Sequence, residues 1–251
     1  MVTASKSWGI IAVALFLLTI ATTATAKYAG GSGTADDPYQ IATAEDLIVL
    51  GESPGDYDKH FILTDDIDLD PNLPGRKVFN KAVIAPDTVQ TTPSFEGTPF
   101  TGIFDGNGHT VSHLTIKGRS CLGLFGHLAS AATVKDLGLV SVKITGSDWY
   151  VGALVGLSMS GLTCCYGTGT ISGKDAAGGL IGDSRGSVTQ CYSTCIVSGN
   201  EYVGGLVGWK LFRQHRHELQ HRCGQWNIEC RRPGGVELGW SCDPVLQHRP
   251  G

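Results

Sequence analysis

The chain has 251 residues, of which 41% are hydrophobic and only 17% are charged, and its formal net charge at pH 7 is −4. This charge gives no overall electrostatic attraction for nucleic acid, so a nucleic-acid partner is not expected. The 35 glycines are about twice the usual share of roughly 7%, a composition that favours many short strands joined by tight turns.

Residues 1–26 have the pattern of a signal peptide. A positive charge at Lys6 precedes an apolar run from Gly9 to Ile20, and Ala24-Thr25-Ala26 fits a small-residue cleavage site. The apolar run is shorter than the roughly 20 residues that a membrane span needs. The sequence therefore predicts a secreted protein whose mature form begins near Lys27, with no membrane span after cleavage.

A short amphipathic helix is predicted near the start of the mature chain. Thr43 is a suitable N-cap, and Glu45 and Asp46 would lie in the first turn, where negative charge is favoured. Leu47, Ile48 and Leu50 would form its apolar face. Because the terminal unit of a solenoid needs a cap, such a helix would cover one end of a repeat array.

The next segment alternates between strand patterns and an irregular stretch. His60 to Asp70 is predicted to be a strand. Pro71 to Pro99 holds five of the ten prolines and has weak periodicity, so it is predicted to be an ordered loop or an irregular first turn. The strand pattern resumes from Phe100 to Ile116.

From about residue 120 the chain repeats itself. Four short sequence motifs, here called anchor phrases, recur at intervals of 26 to 30 residues. They are Gly123–Gly126, Ala153–Gly156, Gly179–Gly182 and Gly205–Gly208. A second pair of matching segments, Cys165–Gly173 and Cys191–Gly199, has an offset of 26 residues. This period is too short for a propeller blade of roughly 40 residues and lacks the periodicity of helical repeats.

The period fits one coil of a parallel β-helix. The leucine of each phrase would point inward and stack on its equivalent at about 4.8 Å, and the glycines would allow tight corners. We therefore predict an all-β protein: a right-handed parallel β-helix over residues 27–208, with a short N-terminal capping helix and an irregular C-terminal tail. Only about four complete coils are visible, which suggests part of a longer surface protein.

These phrases, followed by the Cys191-Tyr192-Ser193-Thr194 strand, resemble the GLUG repeat of bacterial secreted and surface proteins. Gly31–Ile41 and Phe104–Thr110 are similar to segments that often precede such repeats. The resemblance covers roughly Tyr28 to Gly208. It implies a right-handed β-helix, usually within a longer surface protein, adhesin-like chain or bacterial metallopeptidase, and it carries no catalytic residues with it.

Residues 209–251 depart from this pattern, although Leu219–Arg222 recurs as Leu246–Arg249 about one period later. If Trp209–Cys223 is back-translated with permitted codons and the reading frame is moved by one base, the resulting amino-acid sequence is similar to the expected repeat strand. Self-similarity should persist through an array. The hypothesis is that this tail is frameshifted near Trp209 and disordered.

The tail also contains the pattern H-E-x-x-H. His217, Glu218 and His221 would bind Zn²⁺ and activate water if they lay on one helix. The longer metzincin pattern fails because Asn227 stands at the third histidine position. One alternative function is therefore a secreted zinc metallopeptidase. The competing interpretation is that the frameshift produced this motif by chance.

Two further chemistries rest on acidic residues. One candidate is a Ca²⁺ site formed by the side-chain oxygens of Asp66, Asp68, Asp70 and Asn72, whose spacing does not fit an EF-hand. The alternative interpretation is that these residues form the solvated face of an edge strand. A carbohydrate-active β-helix enzyme would need paired carboxylates in a groove. The carboxylates available for it are those of Asp105, Asp148, Asp175 and Asp183.

Cysteines and aromatic residues supply the remaining candidates. Cys165 and Cys191 occupy equivalent repeat positions, where neighbouring coils would allow either a disulfide or a buried ladder of free thiols. Trp149, Tyr150 and Tyr202 precede two anchor phrases and would form a strip for a glycan or an extracellular protein, or else pack on the coil edge. The function favoured by the sequence is a secreted or cell-surface module, non-catalytic and without a cofactor, for binding or adhesion.

Overall fold

The computed structural model describes residues 27–89 and 94–210, which form a parallel β-solenoid with one α-helix. The predicted parallel β-helix is thereby confirmed. The strands are β1 (Tyr39–Ile41), β2 (His60–Leu63), β3 (Ile67–Asp68), β4 (Ile103–Asp105), β5 (Thr110–Ser112), β6 (Thr115–Gly118), β7 (Phe125–Leu128), β8 (Thr133–Lys135), β9 (Gly138–Gly146), β10 (Trp149–Val151), β11 (Val155–Ser158), β12 (Gly161–Thr163), β13 (Tyr166–Ser172), β14 (Asp175–Gly178), β15 (Ile181–Ser184), β16 (Val188–Thr189), β17 (Tyr192–Ser193), β18 (Ile196–Ser198), β19 (Glu201–Gly204) and β20 (Val207–Lys210).

Helix α1 (Ala44–Gly51) is the predicted capping helix. The Thr43 hydroxyl accepts a hydrogen bond from the Asp46 amide at 3.1 Å, and the Asp46 carboxylate accepts one from the Thr43 amide at 2.9 Å. This reciprocal pair satisfies two amides that the first turn leaves without partners. Leu47 and Leu50 are fully buried, and α1 contacts β1, the terminal strand of its sheet. A short 3₁₀ helix, Pro54–Asp56, follows.

The strands form four sheets that run along the solenoid. Sheet A has the order β1-β2-β4-β8-β12-β16, and sheet B has the order β3-β5-β9-β13-β17, with β6 paired to β9 and β18 to β13. Sheet C is β10-β14-β19 and sheet D is β7-β11-β15-β20. The chain visits A, B, C and D in turn, and the strand pairs in all four sheets are parallel, as in β12 with β8 and β13 with β9. Each circuit is one rung.

The anchor leucines stack in the interior, as predicted. Leu124, Leu154 and Leu180 are fully buried, while Leu206 is partly buried in the last described rung. The residues that follow them are in register, Phe125 with Val155, Val155 with Ile181, and Ile181 with Val207. Successive rungs thus place like residues on like inside the coil.

The proline-rich segment forms an irregular first turn of the coil. Phe79 pairs with Ile116 and Ile84 with Phe125, so the segment supplies single bridges where later rungs have full strands. The predicted strand from His60 to Asp70 is two strands, β2 and β3, because the chain bends at a corner between sheets A and B.

The last described strand extends slightly beyond the predicted domain boundary. β20 ends at Lys210, so Trp209 and Lys210 belong to the solenoid rather than to the tail predicted for residues 209–251. The signal peptide predicted at residues 1–26 and the rest of that tail lie outside the described residues.

Candidate functional site

Two rows of side chains run side by side along the solenoid, where sheet C meets sheet D. The first, the corner row, consists of Cys121, Tyr150, Ala176 and Tyr202, of which the last three lie within the sheet C strands β10, β14 and β19. Pairing of Leu122 with Val151, and of the strands β10, β14 and β19, puts these four residues in register. All four have φ between +52° and +64°.

The left-handed backbone of the corner row belongs to the architecture of the corner. Tyr150 and Tyr202 are bulky residues for which this conformation is strained. The same conformation occurs at Cys121 and Ala176, so it is set by the turn and not by an aromatic side chain.

The second row, the strand row, lies on sheet D and consists of His127, Leu157, Asp183 and Trp209. These residues are register partners in β7, β11, β15 and β20. Each one directly follows an anchor phrase in the sequence. Successive members are therefore about 4.8 Å apart at the backbone.

Glycines bring the two rows together. A Cβ atom at Gly182 would lie 2.6 Å from the carbonyl carbon of Tyr150, and one at Gly156 would lie 2.5 Å from that of Cys121. The last glycine of each phrase therefore lets a corner of the preceding rung rest on the sheet D strand, which places the corner row beside the strand row.

The aromatic residues predicted as a binding strip lie on this surface in two groups. Trp149 and Tyr150 are half-buried and their ring centroids are 6.1 Å apart. Tyr202 is 48% exposed and stacks on Trp209, with centroids 4.6 Å apart and planes 19° apart. Buried Ala176 separates the two groups, so the strip is not continuous.

Asp183 lies in the strand row and is only 3% exposed. Its Oδ2 accepts hydrogen bonds from Arg185, at 3.3 Å from Nη2 and 3.4 Å from Nε. Its Oδ1 is buried and has no partner. Burial raises the pKa of Asp183, and the charge of Arg185 opposes this shift.

His127 lies two rungs away in the same row and has two buried ring nitrogens without hydrogen-bond partners. Its ring meets the edge of Phe95, with centroids 4.5 Å apart and planes at 73°. Burial, assisted by the charge of Arg185, lowers the pKa of His127 to about 4. The imidazole is therefore neutral at pH 7.

Asp87 adds a second buried carboxylate, only 1% exposed. Its Oδ1 accepts from the amides of Val89 and Glu96 at 3.2 and 3.1 Å, while Oδ2 has no partner. Burial raises the pKa of the Cys121 thiol to about 12, and both Asp87 and Asp183 contribute. We refer to Asp87, His127, Asp183 and Arg185 together as the polar cluster, although His127 and Asp183 are two rungs apart, with Leu157 between them in the strand row.

Tyr166 and Tyr192 form a further aromatic pair, on sheet B. Their rings are 5.1 Å apart and nearly parallel at 3°. A Cβ at Gly138 would lie 2.5 Å from the Tyr166 ring, so that ring covers the glycine on its other side. Because both faces of Tyr166 are in use, this pair is a packed ladder rather than an open platform.

Cys165 and Cys191 are adjacent free thiols on neighbouring rungs. The Cys165 amide is 3.4 Å from the Cys191 sulfur. Hydrogen bonding with the Cys165 thiol lowers the pKa of Cys191 to about 7, and the same contact together with burial raises the pKa of Cys165. The choice between a disulfide and a ladder stays a prediction.

The acidic residues considered for calcium accept hydrogen bonds from the protein itself. Asp66 Oδ1 accepts from the Thr110 amide at 2.8 Å. Asp68 Oδ1 is 2.8 Å from His113 Nδ1, and Asp70 Oδ1 accepts from Asn72 Nδ2 at 2.7 Å. Within residues 27–89 and 94–210, no group of three or more His, Cys, Asp or Glu side chains is arranged to hold a metal ion. The zinc motif His217, Glu218 and His221 lies outside the described residues.

The four carboxylates considered for glycoside chemistry are on different parts of the coil. Asp105 contacts Lys135, Asp148 lies 3.4 Å from Arg119, and buried Asp175 lies 3.9 Å from Lys174. They belong to sheet A, the bend before sheet C, and sheet C, whereas Asp183 is on sheet D. The structure does not bring them together as one constellation.

The sequence predicted Asp183 only as a possible carboxylate of a carbohydrate-active enzyme. It did not predict Asp87, His127, Arg185 or Trp209 as site residues. A usable signal existed for two of these, because His127 and Trp209 occupy the position immediately after an anchor phrase. Asp87 gives no such signal, since it lies in the stretch without periodicity.

Comparisons with known proteins give two relatives. The chain is 33% identical over 153 residues to halomucin of Haloquadratum walsbyi, which covers 59% of this chain and 2% of that protein. It is 32% identical over 137 residues to a "Putative Gly-rich membrane protein" of Evansella cellulosilytica, covering 51% of this chain and 14% of that one. The chain thus spans only a small part of either relative, and no family model matches it.

A solved structure from Bacteroides ovatus, described as a "putative immunoglobulin A1 protease", aligns with 74% of this chain and 66% of its own, at 19% identity and a TM-score of 0.47. This similarity is too low to bear on function. In the described part of the chain, no helix is both long and apolar enough to cross a membrane.

Proposed function

We propose that this protein is a secreted or cell-surface repeat module that binds an extracellular ligand, without catalysis, through the surface formed by the corner row and the strand row. The main support for this proposal is the exposed stack of Tyr202 on Trp209, with ring centroids 4.6 Å apart. The half-buried pair of Trp149 and Tyr150 lies two rungs away along the same row. Tyrosine and tryptophan supply large contact area at low entropic cost and are enriched where proteins bind partners.

The shape of this surface suits an extended ligand. Four members of each row, spaced at about 4.8 Å, span about 14 Å along the axis. Cys121, Ala176, Leu157 and Asp183 are buried, so the accessible parts of this surface are the two aromatic groups. A polymer or a long peptide strand lying along the axis would contact both groups.

The comparisons and the sequence support an extracellular location. Two relatives are a halomucin and a protein described as a membrane protein, and the chain begins with a signal-peptide pattern. The GLUG-like phrases support a role as one module of a longer surface protein used in adhesion. The small share of each relative that this chain matches is consistent with that role.

The test is a binding screen of the full chain, purified from the secreted fraction. The array would carry neutral, amino and acidic oligosaccharides together with immobilised mucin, collagen and fibronectin. Tyr202→Ala is the informative variant, because it removes the exposed ring from the proposed surface. Tyr192→Ala is its matched control, since Tyr192 is 47% exposed, also stacks on another ring, and lies on sheet B.

The proposal predicts that Tyr202→Ala weakens binding by about tenfold, the effect of losing one interface aromatic, while Tyr192→Ala binds like the parent. Equal loss in both variants would place the binding surface elsewhere. An array without any bound ligand would reject the binding role and leave the module as a spacer.

A further inference from the structure

Several lysines without an ion pair lie together on one side of the coil. Basic side chains in the rest of the described chain contact an aspartate or a glutamate, as Arg119 contacts Asp148 at 3.4 Å. Among residues 27–89 and 94–210, the lysines outside such pairs are Lys77, Lys81, Lys117, Lys143 and Lys210. The first four come from neighbouring rungs, so they concentrate positive charge locally in a chain whose net charge is −4.

The central pair of these lysines lies on the outer face of sheet B. Lys143 alternates with buried residues on β9, and Lys117 follows a buried residue on β6, so both side chains point to solvent. The pairing of β6 with β9 places Thr115 beside Lys143 and Lys117 beside Thr145. The two lysines are therefore diagonal neighbours on adjacent rungs, about 8 Å apart at the backbone.

The irregular first turn brings the other two lysines to the same face. The Phe79 amide donates a hydrogen bond to the Thr115 carbonyl at 2.9 Å, and the Phe79 carbonyl accepts one from the Lys117 amide at 2.9 Å. Lys77 and Lys81 flank Phe79 in the sequence, and both are exposed. They therefore extend the positive charge to the rung before Lys117.

Two columns of outward side chains run along sheet B through these lysines. One column consists of Val78, Thr115, Lys143, Thr170 and Ile196, and the other of Asn80, Lys117, Thr145, Ser172 and Ser198. We call the two columns, together with Lys77 and Lys81, the basic face. It contains no aspartate or glutamate, and it extends about 19 Å along the axis.

The chemistry of the basic face favours an acidic polymer that also carries hydroxyl groups. Lysine ammonium groups act as flexible point charges, so they suit anionic groups that are spaced along a chain. The threonine and serine hydroxyls beside them both donate and accept hydrogen bonds, as the hydroxyls of a sugar do. An acidic polysaccharide lying along the axis would therefore find cations and hydroxyls on successive rungs.

Two other kinds of polyanion fit this face less well. Single-stranded nucleic acid is bound through stacking of its bases on aromatic side chains, and the two columns contain no aromatic residue. An anionic membrane surface is bound by basic residues together with a contiguous apolar face. The apolar residues Val78 and Ile196, which are 46% and 71% exposed, lie at opposite ends of their column.

We infer that the basic face is a second binding surface, which takes a linear acidic polysaccharide through contacts of Lys117 and Lys143 with its anionic groups. This inference goes beyond the proposed function. The basic face lies on sheet B, whereas the surface of the corner row and the strand row lies on sheets C and D.

The test measures binding of the full chain, purified from the secreted fraction, to dextran sulfate and to unmodified dextran by calorimetry. The two polymers share one backbone, so a difference between them reports the anionic groups. Dextran sulfate is expected to bind and dextran is not. The affinity should fall as salt is added, because exposed charges are screened. Absence of dextran sulfate binding at low salt would overturn the inference.

Three double variants locate the binding surface. Lys117→Gln with Lys143→Gln should weaken dextran sulfate binding about fivefold, the combined effect of two exposed ion pairs. Lys117→Arg with Lys143→Arg keeps both charges and should bind like the parent. Lys27→Gln with Lys59→Gln is the matched control, because it removes the same charge from two exposed lysines near the 3₁₀ helix, and it should also bind like the parent.

Two results with these variants would overturn the inference. Equal weakening in both glutamine variants would show that binding depends on net charge alone. Parent-like binding by Lys117→Gln with Lys143→Gln would assign the polyanion to another part of the chain, such as the arginines of residues 211–251. Thermal melting of each variant checks that it is folded, and these exposed positions should leave the melting temperature close to that of the parent.

The remaining outcomes decide the partner and separate this inference from the proposed function. Tighter binding of duplex DNA or of phosphatidylserine vesicles than of dextran sulfate, at equal ionic strength, would overturn the choice of a polysaccharide. Tyr202→Ala should bind dextran sulfate like the parent. A loss in that variant would move the polyanion to the corner row, which would overturn this inference and support the proposed function. Binding to mucin, collagen or fibronectin without any binding of dextran sulfate would do the same.

Discussion

Gly182 lies against the corner of the preceding rung, where a methyl group would stand 2.6 Å from the carbonyl carbon of Tyr150 and 2.5 Å from the Val151 amide nitrogen. Both of these neighbours are backbone atoms, which cannot rotate away as a side chain could. The glycine at the end of the anchor phrase therefore fixes the distance between the corner row and the strand row.

Replacing Gly182 with alanine should consequently destabilise the solenoid by about 1–3 kcal/mol, the cost of overpacking. Urea denaturation of the two proteins would measure it. Gly55→Ala is the control, because a Cβ there meets nothing within 4 Å and alanine restricts the unfolded chain. Equal midpoints for Gly182→Ala and the parent would show that the rows are not in close contact.

The anchor leucines should differ in their contribution to stability according to their rung. Leu154→Ala empties a fully buried site between two rungs and should cost about 2–5 kcal/mol. Leu206→Ala, at the same repeat position but only partly buried, should cost less. Thermal unfolding of both variants tests this order, and a larger loss at Leu206 would contradict a coil whose packing weakens at its last described rung.

His127 should make the protein less stable in mild acid. Its pKa is lowered to about 4 in the folded chain, compared with about 6.5 in an unfolded one, so between these values the unfolded chain binds more protons. The contribution of His127 is then complete above pH 6.5 and is lost as the pH falls toward 4.

The size of this loss follows from the same shift. It reaches at most about 3 kcal/mol, which partial exposure reduces to about 1–2 kcal/mol. Urea midpoints for the parent and His127→Phe between pH 4 and pH 7 provide the measurement. The difference in unfolding free energy should grow steadily toward pH 4, and a difference independent of pH would refute the buried neutral imidazole.

The two stacked cysteines should differ strongly in reactivity. Because the pKa of Cys191 is lowered to about 7 and that of Cys165 is raised, Cys191 carries the larger fraction of thiolate at neutral pH. Iodoacetamide labelling followed by mass spectrometry should modify Cys191 first, with a rate that rises through pH 7. Cys164, which precedes Cys165 and is only partly exposed, serves as the internal reference, since burial and the charge of Asp136 raise its pKa. A non-reducing peptide map of the secreted protein would show whether Cys165 and Cys191 are joined.

The sequence predicted the repeating parts of the fold because a repeat specifies its own packing partners. Leu124, Leu154 and Leu180 had to share one environment once the period was recognised, since each rung presents the same side chain at the same point of the coil. The helix after Thr43 could be predicted for a local reason, because its cap and its first turn lie within four residues. The hypotheses for residues 1–26 and 211–251 lie outside the described residues and stay hypotheses.

The candidate site depended on contacts that no repeat encodes. A period relates each residue to its equivalents in the same row, but it does not determine which row lies beside which. That depends on the last glycine of each phrase and on the left-handed residue within each sheet C strand. Tyr150 and Asp183 thus come together across two sheets. Phe95, whose ring contacts that of His127, and Asp87 come from a segment with weak periodicity, so only the tertiary structure could place them.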